Sequence, residues 1–303
     1  MVKFVIAGGT GFIGDHLSNK LLEQGHDVTI LTRYPPKGKS GTMKYVKWLG
    51  KGDKPEKEME DIDCLINLAG RSLNQGRWNE KGKAEILDSR IHSVEELIRI
   101  VSKLKTKPKV FINASAIGIY PPSEHAVYTE RSENRAEDFL GTVVKKWEEK
   151  AKRLNDLQIR TVLARFGVVL AKDGGAYPLL KIPYRLFFGG KIGSGKQWMS
   201  WIHIDDVIRA LLFIVENEQI KGPVNITAPN PVRMDKFGKT IARVLKRPHW
   251  FSVPSNLVKM VLREKSTLVL EGQYVLPETL TTNGFSFLYP NLYSALQHLE
   301  NIG

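Results

Sequence analysis

Gly8, Gly11 and Gly14 stand at three-residue spacing between the apolar run Val2-Lys3-Phe4-Val5-Ile6-Ala7 and an amphipathic stretch. A glycine turn that joins a strand to a helix gathers backbone N–H groups and the positive end of a helix dipole at one point. That is the chemistry of pyrophosphate binding. Gly8, Thr10, Gly11, Phe12, Ile13 and Gly14 are therefore the expected phosphate cradle, with glycine permitting the tight turn, the close approach of a phosphate and the packing of helix on strand. The next strand, Asp27 to Arg33, ends in Thr32-Arg33. A site selective for an unphosphorylated ribose would carry an acidic side chain there. A hydroxyl beside a guanidinium suits a ribose 2′-phosphate, which arginine grips with paired hydrogen bonds, and Lys37 and Lys39 add positive potential nearby. The expected cofactor is NADP(H); the plainer alternative for Arg33 is a solvated basic loop.

Those residues need a scaffold, and the chain supplies one. Its 303 residues, 42% of them apolar, suffice for one sizeable domain or two joined ones. Apolar runs are short and no cleavable leader precedes the glycine turn, so a cytoplasmic protein without membrane contact is expected. The single cysteine, Cys64, excludes an intramolecular disulfide and sits in an apolar run as core filler. A net charge of +13 would permit nucleic-acid binding, but the 45 basic residues are spread along the chain, so no nucleic-acid partner is expected.

Strands are expected at Lys44 to Trp48, Asp63 to Gly70, Val110 to Ser115 and Arg160 to Leu170. A helix from Asn79 to Leu104 carries a stripe of Leu87, Ile91, Val94, Ile98 and Val101. Another near 135–154 carries Leu140, Val143, Val144, Trp147, Ala151 and Leu154. Alternating strands and helices imply an α/β fold with a doubly wound parallel Rossmann sheet and ligands at the carboxyl ends of its strands. Beyond Ala171 the chain turns to short Gly- and Pro-punctuated elements, including a helix with Met234, Phe237, Ile241, Val244 and Leu245 on one face. The expected division is a nucleotide-binding domain over 1–170, rejoined by 201–217, and a smaller α+β C-terminal substrate region over 171–303.

The glycine turn, Asn67-Leu68-Ala69-Gly70, the Ser115 strand end, Arg165 to Leu170 and Trp201-Ile202-His203-Ile204-Asp205-Asp206 together resemble the short-chain dehydrogenase/reductase superfamily, in its extended, nucleotide-sugar epimerase-like branch. Trp78 with Ser89-Arg90, Trp147-Glu148, Gly193 to Gln197 and Leu270-Glu271-Gly272-Gln273 are similar to the atypical "epimerase family protein" subgroup. The resemblance implies a Rossmann domain for NADP(H), with Leu68, Ala69 and Gly70 beside the adenosine half and Glu85 and Arg90 near the cofactor. It also places Val169 near the nicotinamide end and implies a small appended C-terminal domain.

In that superfamily a strand-end serine or threonine hydrogen-bonds the substrate oxygen, a tyrosine moves its proton, and a lysine four residues on lowers the tyrosine pKa. Ser115 fills the first role, with a capping hydroxyl as its alternative. Aligning Glu148 with the glutamate that follows the tyrosine by eight residues puts Leu140 and Val144 in the tyrosine and lysine slots, and neither transfers a proton. Shifting by one or two residues recovers Lys145 or Lys146 but opposite Gly141 or Thr142. The Tyr177–Lys181 pair has the spacing but lies on the wrong connection. Tyr120, five residues past Ser115, is the substitute acid, with packing in a Pro-rich turn as its alternative role. Gly190 to Lys196 fits a phosphate-loop spacing, but Gln197 replaces the magnesium-binding hydroxyl. His203 is expected as a strand end and helix cap, the histidines show no ligand spacing, and no metal is expected.

The reading is an NADP(H)-dependent oxidoreductase or epimerase-like protein for a small carbonyl or hydroxyl substrate, with Ser115 polarising the carbonyl and Tyr120 or water as acid. Its alternative is a catalytically silent NADP(H)-binding regulator or scaffold. Homo-oligomerisation is left open.

Overall fold

The computed structural model describes residues 1–36 and 43–301, so Lys37 and Lys39 lie outside it. The chain divides into two compact units. The first comprises Met1–Ala116, Thr142–Arg165 and Leu211–Val224; the second comprises Ile117–Gly141, Phe166–Ala210 and Asn225–Gly303. This differs from the expected division: residues 117–141 join the second unit, and the segment that rejoins the first is 211–224 rather than 201–217.

The first unit is a seven-stranded parallel sheet. Its early elements are β1 (Lys3–Ala7), α1 (Phe12–Glu23), β2 (Asp27–Thr32), β3 (Lys44–Lys47), β4 (Cys64–Asn67), α2 (Glu80–Lys103) and β5 (Val110–Ala116). Helix α3 (Phe139–Ala151) and the strands Arg160–Phe166 and Gly222–Ile226 complete it. The order across the sheet is Gly222–Ile226, Arg160–Phe166, β5, β4, β1, β2, β3. Strand order therefore reverses between β1 and β4, and the crevice at such a switch point is where open α/β sheets bind ligands. Phe4 pairs with Val28 on one side and Cys64 on the other, so the apolar runs pack as buried central strands and Cys64 is fully buried among them. Burial pushes its thiol well above the usual range, which suits core filler rather than a nucleophile.

Helix α2 matches its expected span, and Asn79 caps it by accepting the Gly82 N–H at 2.9 Å. Its deepest face is rotated by about one residue from the expected stripe: Ile86, Ser93, Val94, Leu97, Ile100 and Val101 are buried, whereas Leu87, Ile91 and Ile98 are half-buried. The reason is chemical. Arg90 and Ser93 occupy positions along the buried face, and Ser93 satisfies its hydroxyl internally by donating to the Arg90 carbonyl at 2.8 Å, so polar residues hide the stripe.

In the second unit the expected strand Arg160 to Leu170 is broken at Gly167. A Cβ there would lie 2.5 Å from the Ser200 carbonyl oxygen, so only glycine allows the approach. The residues after it, Val168–Leu170, leave the main sheet and pair in parallel with Trp201–His203. Helices α4 (Tyr177–Arg185), α5 (Ile204–Glu216), α6 (Met234–Leu245) and α7 (Ser255–Leu262) follow, with a C-terminal helix at Leu292–Asn301. Its core gathers Tyr177, Trp201, Phe237, Ile241, Leu296 and Leu299. Gly190 to Lys196 forms the strand Gly190–Ile192 and a turn rather than a loop feeding a helix, so it is not a phosphate loop. Among the described residues no helix is long and apolar enough to cross a membrane.

Candidate functional site

The first unit holds a cleft of about 990 Å³ at the carboxyl ends of β1, β2 and β4. Gly8, at φ +79°, forms its floor, and a Cβ on Gly8 would stand 2.7 Å from the Leu68 carbonyl carbon and 2.8 Å from the Ala69 nitrogen. A Cβ on Gly14 would stand 2.3 Å from the Gly8 carbonyl oxygen, so α1 sits directly on the turn. Gly11 is the N-cap of α1 and offers no side-chain acceptor to the first turn. The N–H groups of that turn are left for a ligand, as an anion-binding helix start requires. Gly8, Thr10, Gly11, Thr32, Arg33, Leu68, Ala69, Gly70 and Glu85 all line the cleft. Phe12, Ile13 and Gly14 stand behind its wall in the first turn of α1.

At the ribose end, Thr32 is buried and its hydroxyl oxygen accepts the Tyr34 N–H at 3.3 Å, which turns the chain out of β2. Arg33 is exposed and its guanidinium lies 5.8 Å from the Tyr34 ring centroid. Among the described residues it forms no ion pair, and the cleft wall at the β2 tip presents no carboxylate. Across the cleft Arg71 is paired with Glu85. Arg90 does not line the cleft: it is a support behind it, donating to the Arg71 carbonyl at 3.0 Å and the Ile86 carbonyl at 2.9 Å, with its guanidinium 5.1 Å from the Trp147 ring centroid. Burial lowers its pKa to about 10, still charged at neutral pH.

The β4 tip is set by a buried amide pair. Asn67 and Asn113 are register partners on β4 and β5, and Asn67 Nδ2 donates to Asn113 Oδ1 at 2.8 Å. Asn67 Oδ1 then accepts the Ala69 N–H at 3.1 Å, which holds the Leu68–Ala69 turn against Gly8. Both asparagines are fully buried, and their hydrogen bonding makes that burial tolerable.

Ser115 lies at the end of β5 as expected, but it is only 3% exposed and its Oγ–H is donated to Glu148 Oε1 at 2.6 Å. Arg165 grips the same carboxylate with two bonds, Nε to Oε1 at 2.7 Å and Nη2 to Oε2 at 2.8 Å. Glu148 and Arg165 are 4% and 2% exposed, so this is a buried, bidentate ion pair with the serine as its third member.

The NAD dependent epimerase/dehydratase family matches residues 4–140 and 188–227. A relative from Bacillus subtilis (strain 168), the epimerase family protein YfhF, is 47% identical over 298 residues and 98% of each chain. The chain belongs to this family. With it the expected place in the short-chain dehydrogenase/reductase superfamily and its epimerase family protein subgroup is met. Residues 253–299 also match a domain of unknown function, DUF1731. A Staphylococcus haemolyticus epimerase family protein is 46% identical over 99% of both chains. Among solved structures, the human epimerase family protein SDR39U1 (isoform 2) with NADPH superposes with a TM-score of 0.89 at 33% identity, covering 99% of this chain and 100% of that one. A Bacillus cereus UDP-N-acetylglucosamine 4-epimerase, at 16% identity and TM-score 0.75, shares the fold.

Helix α3 carries Leu140 and Val144, the residues that the Glu148 alignment sets in the expected tyrosine and lysine positions, with Val144 buried. Tyr120, the substitute acid, is fully buried in the second unit, stacks on Tyr128 with ring centroids 5.2 Å apart and donates its hydroxyl to Asn225 Oδ1 at 2.9 Å. Its hydroxyl proton is held by a protein acceptor. Tyr177 and Lys181 are buried on α4, and Lys181 Nζ pairs with Glu300 at 2.7 Å. Burial, followed by the Glu300 charge, raises the Tyr177 pKa, the reverse of what a proton donor at neutral pH needs. Val169 sits half-buried in its strand opposite Ile202.

His203 ends its strand as expected, and its Nδ1 accepts the Asp205 N–H at 3.1 Å at the start of α5. Sequence spacing missed its partner: His298, 95 residues away, brings Nδ1 to 3.2 Å from His203 Nε2, and ligand atoms of His203, Asp205 and His298 all lie within 4.8 Å of one another. With Nδ1 accepting a backbone N–H, Nε2 is the His203 nitrogen that faces His298.

Proposed function

We propose that this chain is an NADP(H)-binding oxidoreductase or epimerase-like enzyme for a small carbonyl or hydroxyl substrate. The observation that carries the cofactor choice is the β2 tip: Thr32 and Arg33 line a cleft whose end lacks a carboxylate among the described residues. In this reading the Gly8–Gly11 turn and the first turn of α1 hold the pyrophosphate, Leu68 and Ala69 flank the adenosine half, and Thr32 and Arg33 hold the 2′-phosphate. When bound, NADP(H) supplies or takes the hydride, and the protein supplies position and charge. The cradle fits that group, because a Cβ at Gly8 would fill the space beside Leu68 and Ala69. The human epimerase family protein SDR39U1, solved with NADPH, supports the same choice.

Ser115 is the group proposed to meet the substrate oxygen. While its proton rests on Glu148 its lone pairs can accept a substrate hydroxyl; to polarise a carbonyl it must turn that proton outward. The test is NADPH oxidation over a panel of small carbonyl compounds, with Ser115→Ala as control: turnover with one member, lost in the variant, is the expected result. A second reading, a catalytically silent NADP(H)-binding regulator or scaffold, is favoured by one observation. The hydroxyl protons of Ser115 and Tyr120 are both committed to buried protein acceptors. Tight NADPH binding with no turnover on any member of the panel selects that reading.

A further inference from the structure

The second unit carries an apolar surface that the chain itself leaves uncovered. Phe187 and Phe188 are 52% and 63% exposed, and Trp250 and Phe251 are 75% and 49% exposed. They form one cluster: the Phe188 and Phe251 rings meet edge to face at 6.2 Å, and Trp250 Nε1 donates to the Phe187 carbonyl at 2.8 Å. The Arg247 guanidinium lies 4.5 Å from the Phe187 ring centroid. The surface continues along the chain in both directions. On α4, Leu179 and Ile182 are exposed, as is Leu186 just beyond its end, and these fall on one face opposite the buried Tyr177, Lys181 and Tyr184. On α7, Leu257, Met260 and Val261 are exposed, and Val258 is the buried residue of the helix.

Phe187 is held at φ +65°, at the position after a helix end where glycine is ordinarily favoured. A bulky residue is strained there, so an exposed phenyl is kept against a backbone penalty. The same segments are strongly basic. Across residues 177–191 and 246–265 the sole acidic residue is Glu264, whereas Arg185, Lys191, Lys246, Lys259 and Arg263 are exposed cations.

We infer that this aromatic, cation-flanked face docks peripherally on an anionic lipid surface. Exposed Trp, Phe, Leu and Met between lysines and arginines suit the boundary of headgroup and acyl chain, where the rings insert and the cations meet lipid phosphates. A second copy of this chain is a poorer occupant, because an isologous contact sets this cationic rim against itself. The attachment is independent of the cofactor cleft and departs from the absence of membrane contact expected from the sequence.

The test is co-sedimentation with extruded vesicles at about 0.1 M salt, where surface charges still act over about 10 Å. One set of vesicles is phosphatidylcholine alone and the other is phosphatidylcholine with an equal part of phosphatidylglycerol. Binding to the mixed vesicles and not to phosphatidylcholine is expected. It should fall about fivefold in Arg247→Gln and in Lys259→Gln, and at least about tenfold in the Phe188→Ser, Trp250→Ser double variant. Unchanged circular dichroism melting shows that each variant is folded. Failure of the native protein to sediment with mixed vesicles overturns the inference and leaves the face to an acidic protein. Equal binding by the double variant overturns it as well. A concentration-dependent dimer abolished in the double variant overturns it in favour of a second copy.

Discussion

The cofactor cleft and the serine cluster belong to the same unit and are built in opposite ways. The cleft is shaped by backbone and by missing side chains: Gly8 and Gly14 approach neighbouring backbone more closely than any Cβ allows, and the start of α1 has no side-chain cap. In the cluster, Ser115, Glu148 and Arg165 are each under 5% exposed, and each is hydrogen-bonded to another. The difference separates a site shaped by backbone from one closed by side chains. A turn built from backbone does not depend on which side chains α3 carries, and on α3 these include Leu140 and Val144.

The largest expected effect falls on the closed region. Glu148→Gln removes the charge that Arg165 is buried against and should destabilise the protein by about 3–5 kcal/mol. Denaturant unfolding measures this. Loss of less than about 1 kcal/mol would mean that the cluster is hydrated rather than closed. Next, Gly8→Ala places a Cβ against Leu68 and Ala69 at φ +79°, and NADPH affinity should fall about a hundredfold, equivalent to about 3 kcal/mol. Calorimetry that finds native affinity would show that the cradle is not the phosphate site.

A third, smaller effect lies on the outer face of α2. Hydrogen bonds from Arg99, partly opposed by burial, hold the Glu56 carboxyl at about 2, below its usual 4.5. A depressed carboxylate pKa contributes stability that is complete above about pH 4.5 and is lost as pH falls towards 2. Because Arg99 is 32% exposed the gain is screened, and Glu56→Gln should cost about 2 kcal/mol at pH 7. Native and variant unfolding curves should converge near pH 2, and a pH-independent difference would contradict the assignment. Smallest of all, Ser115→Ala should cost about 1 kcal/mol, because Arg165 still satisfies the Glu148 carboxylate. The variant should keep NADPH affinity, so that any lost turnover is chemical.

What the sequence disclosed follows the same division. The glycine turn, the β2 tip and the span of α2 are local, and each stands where the sequence pattern places it. Ser115, Glu148 and Arg165 are 33 and 17 residues apart, and nothing in their local patterns announces a shared carboxylate. The Asn67–Asn113 pair was closer to legible, since two asparagines inside apolar strands call for partners. His203 and His298 meet only because their chain segments pack together. The Arg160 to Leu170 run looked continuous because its apolar pattern passes through Gly167, and only the close approach of Ser200 reveals the break.

The central claim is that Arg33 and Thr32 hold a ribose 2′-phosphate. Calorimetric titration of native protein and Arg33→Ala with 2′-phospho-ADP-ribose and with ADP-ribose tests it without any substrate. The account predicts that native protein prefers the phosphorylated ligand by about tenfold to a hundredfold, a charge-assisted pair of about 1.5–3 kcal/mol, and that Arg33→Ala erases the preference while leaving ADP-ribose affinity unchanged. Equal affinity for the two ligands in native protein, or a preference that persists in Arg33→Ala, would contradict it.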